Sequence, residues 1–170
     1  KNNYKDVQYS GILPVKSLIE NSYIRSFPNH CLFISNIKRD ENLLNKVSKL
    51  KDNERSNIKK FFDNTNIMLS PTVCFNCFES LKGIKIKENL KITSLSNCSR
   101  YESLNYQNLE RLKIFTMREL IFFGSNKFVF NHLNSNLKYF INLFKKWNLK
   151  FRVCTASDPF FSNEILPKKI

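Results

Sequence analysis

A chain of 170 residues can bury roughly 70% of its unfolded surface, so it needs neither a disulfide nor a metal to fold. Its 28 Lys and Arg against 14 Asp and Glu leave a net charge of +14. That suits an anionic partner such as ATP phosphates, RNA or an acidic carrier protein, but one Ala (Ala156), three Gly and an excess of Lys, Asn, Ile and Phe are better described by compositional drift with a solvated lysine face. The absence of any run of about 20 apolar residues excludes a membrane-spanning helix, and no signal-peptide pattern opens the chain. Five cysteines without such a signal point to free thiols in a reducing, cytoplasmic setting.

In chain order, Ile12-Leu13-Pro14 reads as the end of a strand, Val15 to Asn21 as a short helix, and Ser26-Phe27-Pro28-Asn29 as a turn. Ile34 to Ile37 suits a strand. From Asp40 to about Phe62 the charge density and the interrupted stripe Leu43, Leu44, Val47, Leu50 and Ile58 predict a helical insertion. Pro71 fits the first turn of a helix over Thr72 to Leu81, with Ser70 as its cap. Leu90 to Tyr101 and Leu112 to Phe123 read as two strands joined by the polar loop Ser103 to Glu110.

A long helix follows, capped by Ser125 or Asn126. Its residues Phe130, Leu133, Leu137, Phe140, Phe144 and Trp147 recur three and four apart, the stripe of a helix packed on a sheet. Leu149 to Cys154 reads as a further strand, and Ala156-Ser-Asp-Pro-Phe-Phe161 closes the pattern. The whole is one α+β domain, an antiparallel sheet flanked by helices. The start at Lys1 and the charged end Leu166-Pro167-Lys168-Lys169-Ile170 read as an incomplete chain.

Cys74-Phe-Asn-Cys77 is a CxxC without the second pair that a zinc ribbon needs, and a weak thioredoxin-type motif. The chain contains neither GxxxxGK[ST] nor GxGxxG, so a phosphate-cradling glycine loop is excluded. The charges concentrate instead on the paired strands. Successive side chains alternate faces, so Cys98, Arg100 and Glu102 share one face of the first strand, and Arg111, Lys113, Phe115, Met117, Glu119 and Ile121 one face of the second. A register pairing 102 with 111 sets Cys98 opposite Phe115 and not Glu119. Such a face is either a nucleotide platform, guanidinium forks for phosphate beside a ring for a base, or a hairpin carrying surface ion pairs.

Arg100-Tyr-Glu102, a loop, then Arg111-Leu-Lys-Ile-Phe115-Thr-Met-Arg-Glu119 resembles the second signature motif of class II aminoacyl-tRNA synthetases. The likeness is nearest to the seryl-like paralogues that ligate amino acids to carrier proteins. Ser22-Tyr-Ile-Arg-Ser-Phe-Pro28, Pro71-Thr-Val-Cys74 and Ala156-Ser-Asp-Pro-Phe-Phe161 match that family in the same order, over most of residues 9 to 161.

The resemblance implies that Arg100 holds the α-phosphate of ATP and the substrate carboxylate, and that Arg111 contacts the terminal phosphate. It implies that Phe115 stacks on adenine, that Glu102 lies at the adenine end, and that Asp158 lies near the amino acid. It also implies Mg2+ with the ATP and a catalytic zinc held by Cys74, Glu119 and a further cysteine, its open position taken by the amino group of the amino acid. The implied activity is formation of an aminoacyl-adenylate and its transfer to the phosphopantetheine thiol of a carrier protein. A seryl-tRNA synthetase-like fragment delivering to tRNA, or a non-catalytic module binding RNA or protein, is the alternative. Pro14 lies where a dimer-forming motif would be, which implies a homodimer by resemblance. Ser99 stands where the family has an aromatic residue. The third motif, with its glycines and ATP-binding arginine, and the second zinc cysteine are not found, so residues 1–170 carry a partial catalytic domain.

Overall fold

The computed structural model of the chain describes residues 4–101 and 111–154, apart from the side chains of 52 and 55–57. Two three-stranded sheets carry the architecture. In the first, β1 (Lys5–Asp6) pairs in parallel with β5 (Leu90–Ser99), which pairs antiparallel with β6 (Ile114–Phe123). In the second, β4 (Phe62–Leu69) is central, with β2 (Ile12–Pro14) and β3 (Phe33–Ile37) antiparallel on either side.

The short helices α1 (Val15–Glu20) and α2 (Tyr23–Ser26) follow β2 directly and pack with it. Leu13, Leu18, Tyr23, Phe27, Met68 and Phe75 form one core cluster there. A second, smaller core holds Cys77, Ile92 and Ile121, with Val7, Tyr9, Leu81 and Phe123 against it.

Helix α4 (Cys74–Leu81) joins the two cores. Phe75 and Cys77 are two residues apart, hence about 200° apart around the helix, and the first enters one core while the second enters the other. Cys74 packs against both.

Several sequence expectations hold: the strand end at 12–14, the helix from Val15, the strand near 34–37 and the two long strands. So does the register, with Cys98 opposite Phe115 and Ser94 opposite Glu119. The long helix α5 (Asn126–Lys146) is capped by Ser125, whose side chain accepts from the Phe128 amide at 3.3 Å. It ends on Asn148 in the left-handed region (φ 55°), with the Leu149 amide donating back to the Phe144 carbonyl at 3.0 Å.

Five expectations fail. The helix expected from Asp40 to Phe62 is instead α3 (Glu41–Ser48) and a 3-10 stretch, Asp52–Phe61. Lys49 to Lys51 break it, outside any helix or strand. Strand β4 begins at Phe62, where no strand was expected. Helix α4 starts at Cys74 rather than Thr72, and Ser70 is not its cap, since its hydroxyl donates to the Thr72 carbonyl at 2.6 Å.

Leu149–Cys154 is not a strand, although Phe151 packs edge-on against Phe144 at 5.4 Å. Finally, the α5 stripe is not core: Phe130, Leu133, Leu137, Phe140 and Trp147 are all exposed, and no residue described in α5 is buried. Near its start the helix touches the sheet through Phe128 and His132, the latter stacked on Phe122 at 4.8 Å.

Candidate active site on the β5–β6 face

The inner face of the β5–β6 ladder is set by alternation. Ile92 and Ile121, Ser94 and Glu119, Ser96 and Met117, and Cys98 and Phe115 are cross-strand pairs on the side facing α4. Thr93, Leu95 and Arg118 lie on the other face, where the Arg118 guanidinium reaches the Thr93 hydroxyl at 3.1 Å and the Asp6 carboxylate at 3.9 Å. Glu119 therefore does not pair with Arg118; adjacent residues on a strand point to opposite faces.

Arg100 continues the ladder by one residue, its amide donating to the Lys113 carbonyl at 3.0 Å. Its Nε donates to the Pro71 carbonyl at 2.9 Å, and its Cζ lies 5.2 Å from the centre of the Phe115 ring. The bond at Nε fixes the plane of the guanidinium, while the fork of terminal nitrogens is the part that pairs with phosphate or carboxylate oxygens. The ring beneath adds a cation–π attraction of about 0.5–2 kcal/mol. Beside it, the Tyr101 amide donates to the His30 carbonyl at 3.0 Å, and Lys113 Nζ lies 5.7 Å from the Tyr101 ring centre.

Four residues further along β6, about 13 Å at strand rise, Glu119 meets the start of α4. Its Oε1 accepts from the Val73 amide at 3.2 Å, which sets the carboxylate near enough to the Cys74 thiol for its charge to act on it. The Thr72 hydroxyl lies 3.1 Å from Cys74 Sγ. Burial pushes the Cys74 thiol up to about 12, with the Glu119 charge adding to the rise and the Thr72 hydroxyl opposing it. Burial likewise raises Cys98 to about 11 and raises Cys77, and Glu119 raises both further. These are protonated thiols in an apolar, acid-flanked setting, the opposite of the lowered thiol pKa that a redox CxxC requires. Ser94, wholly buried across from Glu119, has an Oγ with no hydrogen-bond partner.

The turn from Ser70 to Cys74 organises all of this, and nothing in the residue pattern announced it. The Ser99 amide donates to the Ser70 carbonyl at 2.8 Å, Pro71 holds Arg100, and Val73 holds Glu119. Asn76 stitches the turn in place, its Nδ2 donating to Ser70 Oγ at 2.9 Å and to the Ser10 carbonyl at 3.0 Å. The residue pattern made this stretch the cap and first turn of a helix, and backbone groups as site partners are invisible to side-chain patterns.

Of the site residues expected from sequence, the structure thus brings Arg100 to Phe115 and Cys74 to Glu119. Arg111 is exposed where the second limb of the hairpin begins. Glu102 and Asp158, with the loop Ser103 to Glu110, lie outside the described residues. A thiol and a carboxylate are suitable donors for zinc, but no group of three or more His, Cys, Asp or Glu among the described residues could hold a metal ion. The pair fits two corners of a zinc site and does not make one. No helix among the described residues is long and apolar enough to cross a membrane.

No established family profile matches the chain. It is 21% identical over 168 residues to the type-2 serine–tRNA ligase of Methanocaldococcus jannaschii, covering 95% of this chain and 32% of that protein. Its fold superposes on the SerRS of M. kandleri, solved in complex with A. aeolicus tRNASec, with a TM-score of 0.82 at 17% identity, over 93% of this chain and 32% of that one. The chain spans about a third of the length of both. Both similarities are to seryl-tRNA synthetases, and neither concerns a carrier-protein ligase. Sheet, helices and hairpin together have the class II aminoacyl-tRNA synthetase fold, in the form found in seryl-tRNA synthetases.

Proposed function

We propose that this chain is the ATP- and amino acid-handling part of a seryl-tRNA synthetase-like enzyme, which activates a small amino acid as its adenylate and passes it to tRNA. The observation that carries the reading is the placement of Arg100 on the Phe115 ring, on the same sheet face as the Cys74–Glu119 pair. The roughly 13 Å between Phe115 and Glu119 accommodates an aminoacyl-adenylate laid along β6, adenine toward Phe115 and the amino group toward Glu119.

In this reading the amino acid carboxylate attacks the α-phosphorus and pyrophosphate leaves. Arg100 pairs with the α-phosphate oxygens as their charge redistributes, and Arg111 with the terminal phosphate, with Mg2+ accompanying the nucleotide. The Pro71 carbonyl holds the Arg100 guanidinium, so its reorganisation is small when the transition state forms. Cys74 and Glu119 would hold zinc together with a third ligand. When bound, that ion would supply a Lewis-acid position for a neutral amine.

Delivery to tRNA takes precedence over delivery to a carrier-protein thiol because the similar proteins are serine–tRNA ligases. The test is amino acid-dependent ATP–pyrophosphate exchange by the protein that contains this chain, followed by charging of tRNASer and of a phosphopantetheinylated carrier protein. Serine-dependent exchange with tRNA charging is expected. Exchange with thiol loading alone would select the carrier-protein reading, and no exchange with any amino acid would overturn both. Arg100→Ala should lower exchange about 100- to 1,000-fold, as for loss of one preorganised donor to developing charge.

A further inference from the structure

We infer that the C-terminal half of α5 and the segment after it form an RNA-docking surface, centred on Lys138, Lys145, Lys146, Trp147 and Lys150. This rests on the reading above, and it adds a surface through which the tRNA would be held. The 38 residues from 120 to 157 carry six cations, Lys127, Lys138, Lys145, Lys146, Lys150 and Arg152, and no Asp or Glu. With 14 acids in 170 residues, a stretch of that length would hold about three. Residues 38–63 differ: eight cations there are interleaved with Asp40, Glu41, Asp52, Glu54 and Asp63.

All six cations of the acid-free stretch are exposed, and Tyr139 and Trp147 stand among them at 60% and 58% exposure. Lysines neutralise phosphates and release counterions, while exposed rings give bases a face on which to stack. Lys138 and Lys145, seven residues apart, share a helix face about 10 Å from each other. Favourable interaction with the helix dipole accounts for Lys145 and Lys146 in the last turn; it does not reach Lys138, Lys150 or Arg152. An apolar stripe alone would suit a protein partner equally. A uniformly positive field around it favours a polyanion.

The test measures binding of the protein that contains this chain to a fluorescently labelled tRNASer transcript by anisotropy, from 50 to 300 mM KCl. Substitution K138E/K145E/K146E/K150E is compared with the charge-matched control K46E/K49E/K51E/K59E on the 38–63 segment, with circular dichroism to verify folding. Expected are a loss of about 100-fold or more for the first, with the salt dependence shallower by about 0.7–0.9 in log–log slope for each phosphate contact removed, and a loss within about threefold for the control. Trp147→Ala, which changes no charge, should weaken binding about five- to a hundredfold with an unchanged salt slope. Equal losses in the two quadruple variants, an unaffected Trp147→Ala, or no binding at 50 mM KCl would each overturn the proposal. Adenylate formation needs no tRNA. Exchange that survives the α5 substitutions while charging falls is therefore expected, and absent exchange with intact RNA binding would sink the functional reading alone.

Discussion

The isoleucines on the inner face of β5–β6 and the apolar stripe of α5 are each placed by the period of their element, and they reach opposite ends. On the strands, Ile92 and Ile121 meet Cys77 of α4 and are buried. On α5, Leu133 and Leu137 recur at helical spacing and stay 58% and 42% exposed. Periodicity reports which residues share a face. Whether that face is buried depends on a second element being there, and the strands have α4 where most of α5 has none among the described residues.

The comparison can be broken by stability measurements. Ile92→Ala should cost about 2–5 kcal/mol in urea unfolding, through lost transfer energy and a cavity. Leu137→Ala should stay within about 0.5 kcal/mol, as for a surface site. A Leu137 cost near that of Ile92 would mean that α5 is covered in solution.

Alkaline titration sharpens the same contrast. Cys74, with a pKa of about 12, and Cys98, with one of about 11, lie above the ordinary thiol value of about 9. Between those values the unfolded chain loses protons that the folded chain keeps, so folding stability is full below about pH 9 and falls as pH rises toward 12. Urea midpoints at pH 8, 9 and 10 should decline in the last step, and Cys74→Ala should make that decline smaller. At pH 8 a thiol reagent should label exposed Cys154 quickly and leave the wholly buried Cys77 and Cys98 untouched until urea opens the fold. Rapid labelling of Cys98 would show that the inner face opens on its own.

The smallest effect belongs to the start of α5, where Ser125→Ala should cost about 1 kcal/mol. A larger loss would mean that the first turn, with Phe128 and His132 on Phe122, anchors more than itself.

Much of this fold was legible because its signals are local. Alternation gave the two long strands and even their register, and Ser125 gave the start of α5. Where tertiary partners decide, the sequence misled: β4 follows a polar stretch with no strand-like alternation before it, and only pairing with β2 and β3 on both sides makes it a strand. At the candidate site, Arg100, Phe115, Cys74 and Glu119 could be named from their motif. Their backbone anchors at Pro71 and Val73 could not, because every residue type carries the same carbonyl and nearly every one the same amide.

That anchoring bears on how such a site could diverge. Main-chain atoms of one turn hold both Arg100 and Glu119, so no side-chain hydrogen bond from Thr72 or Val73 is needed to set the spacing between these two side chains. Thr72 can therefore change without moving the two side chains apart, whereas Val73, wholly buried, is held by its packing. A one-residue insertion between Ser70 and Cys74 would instead alter the spacing itself.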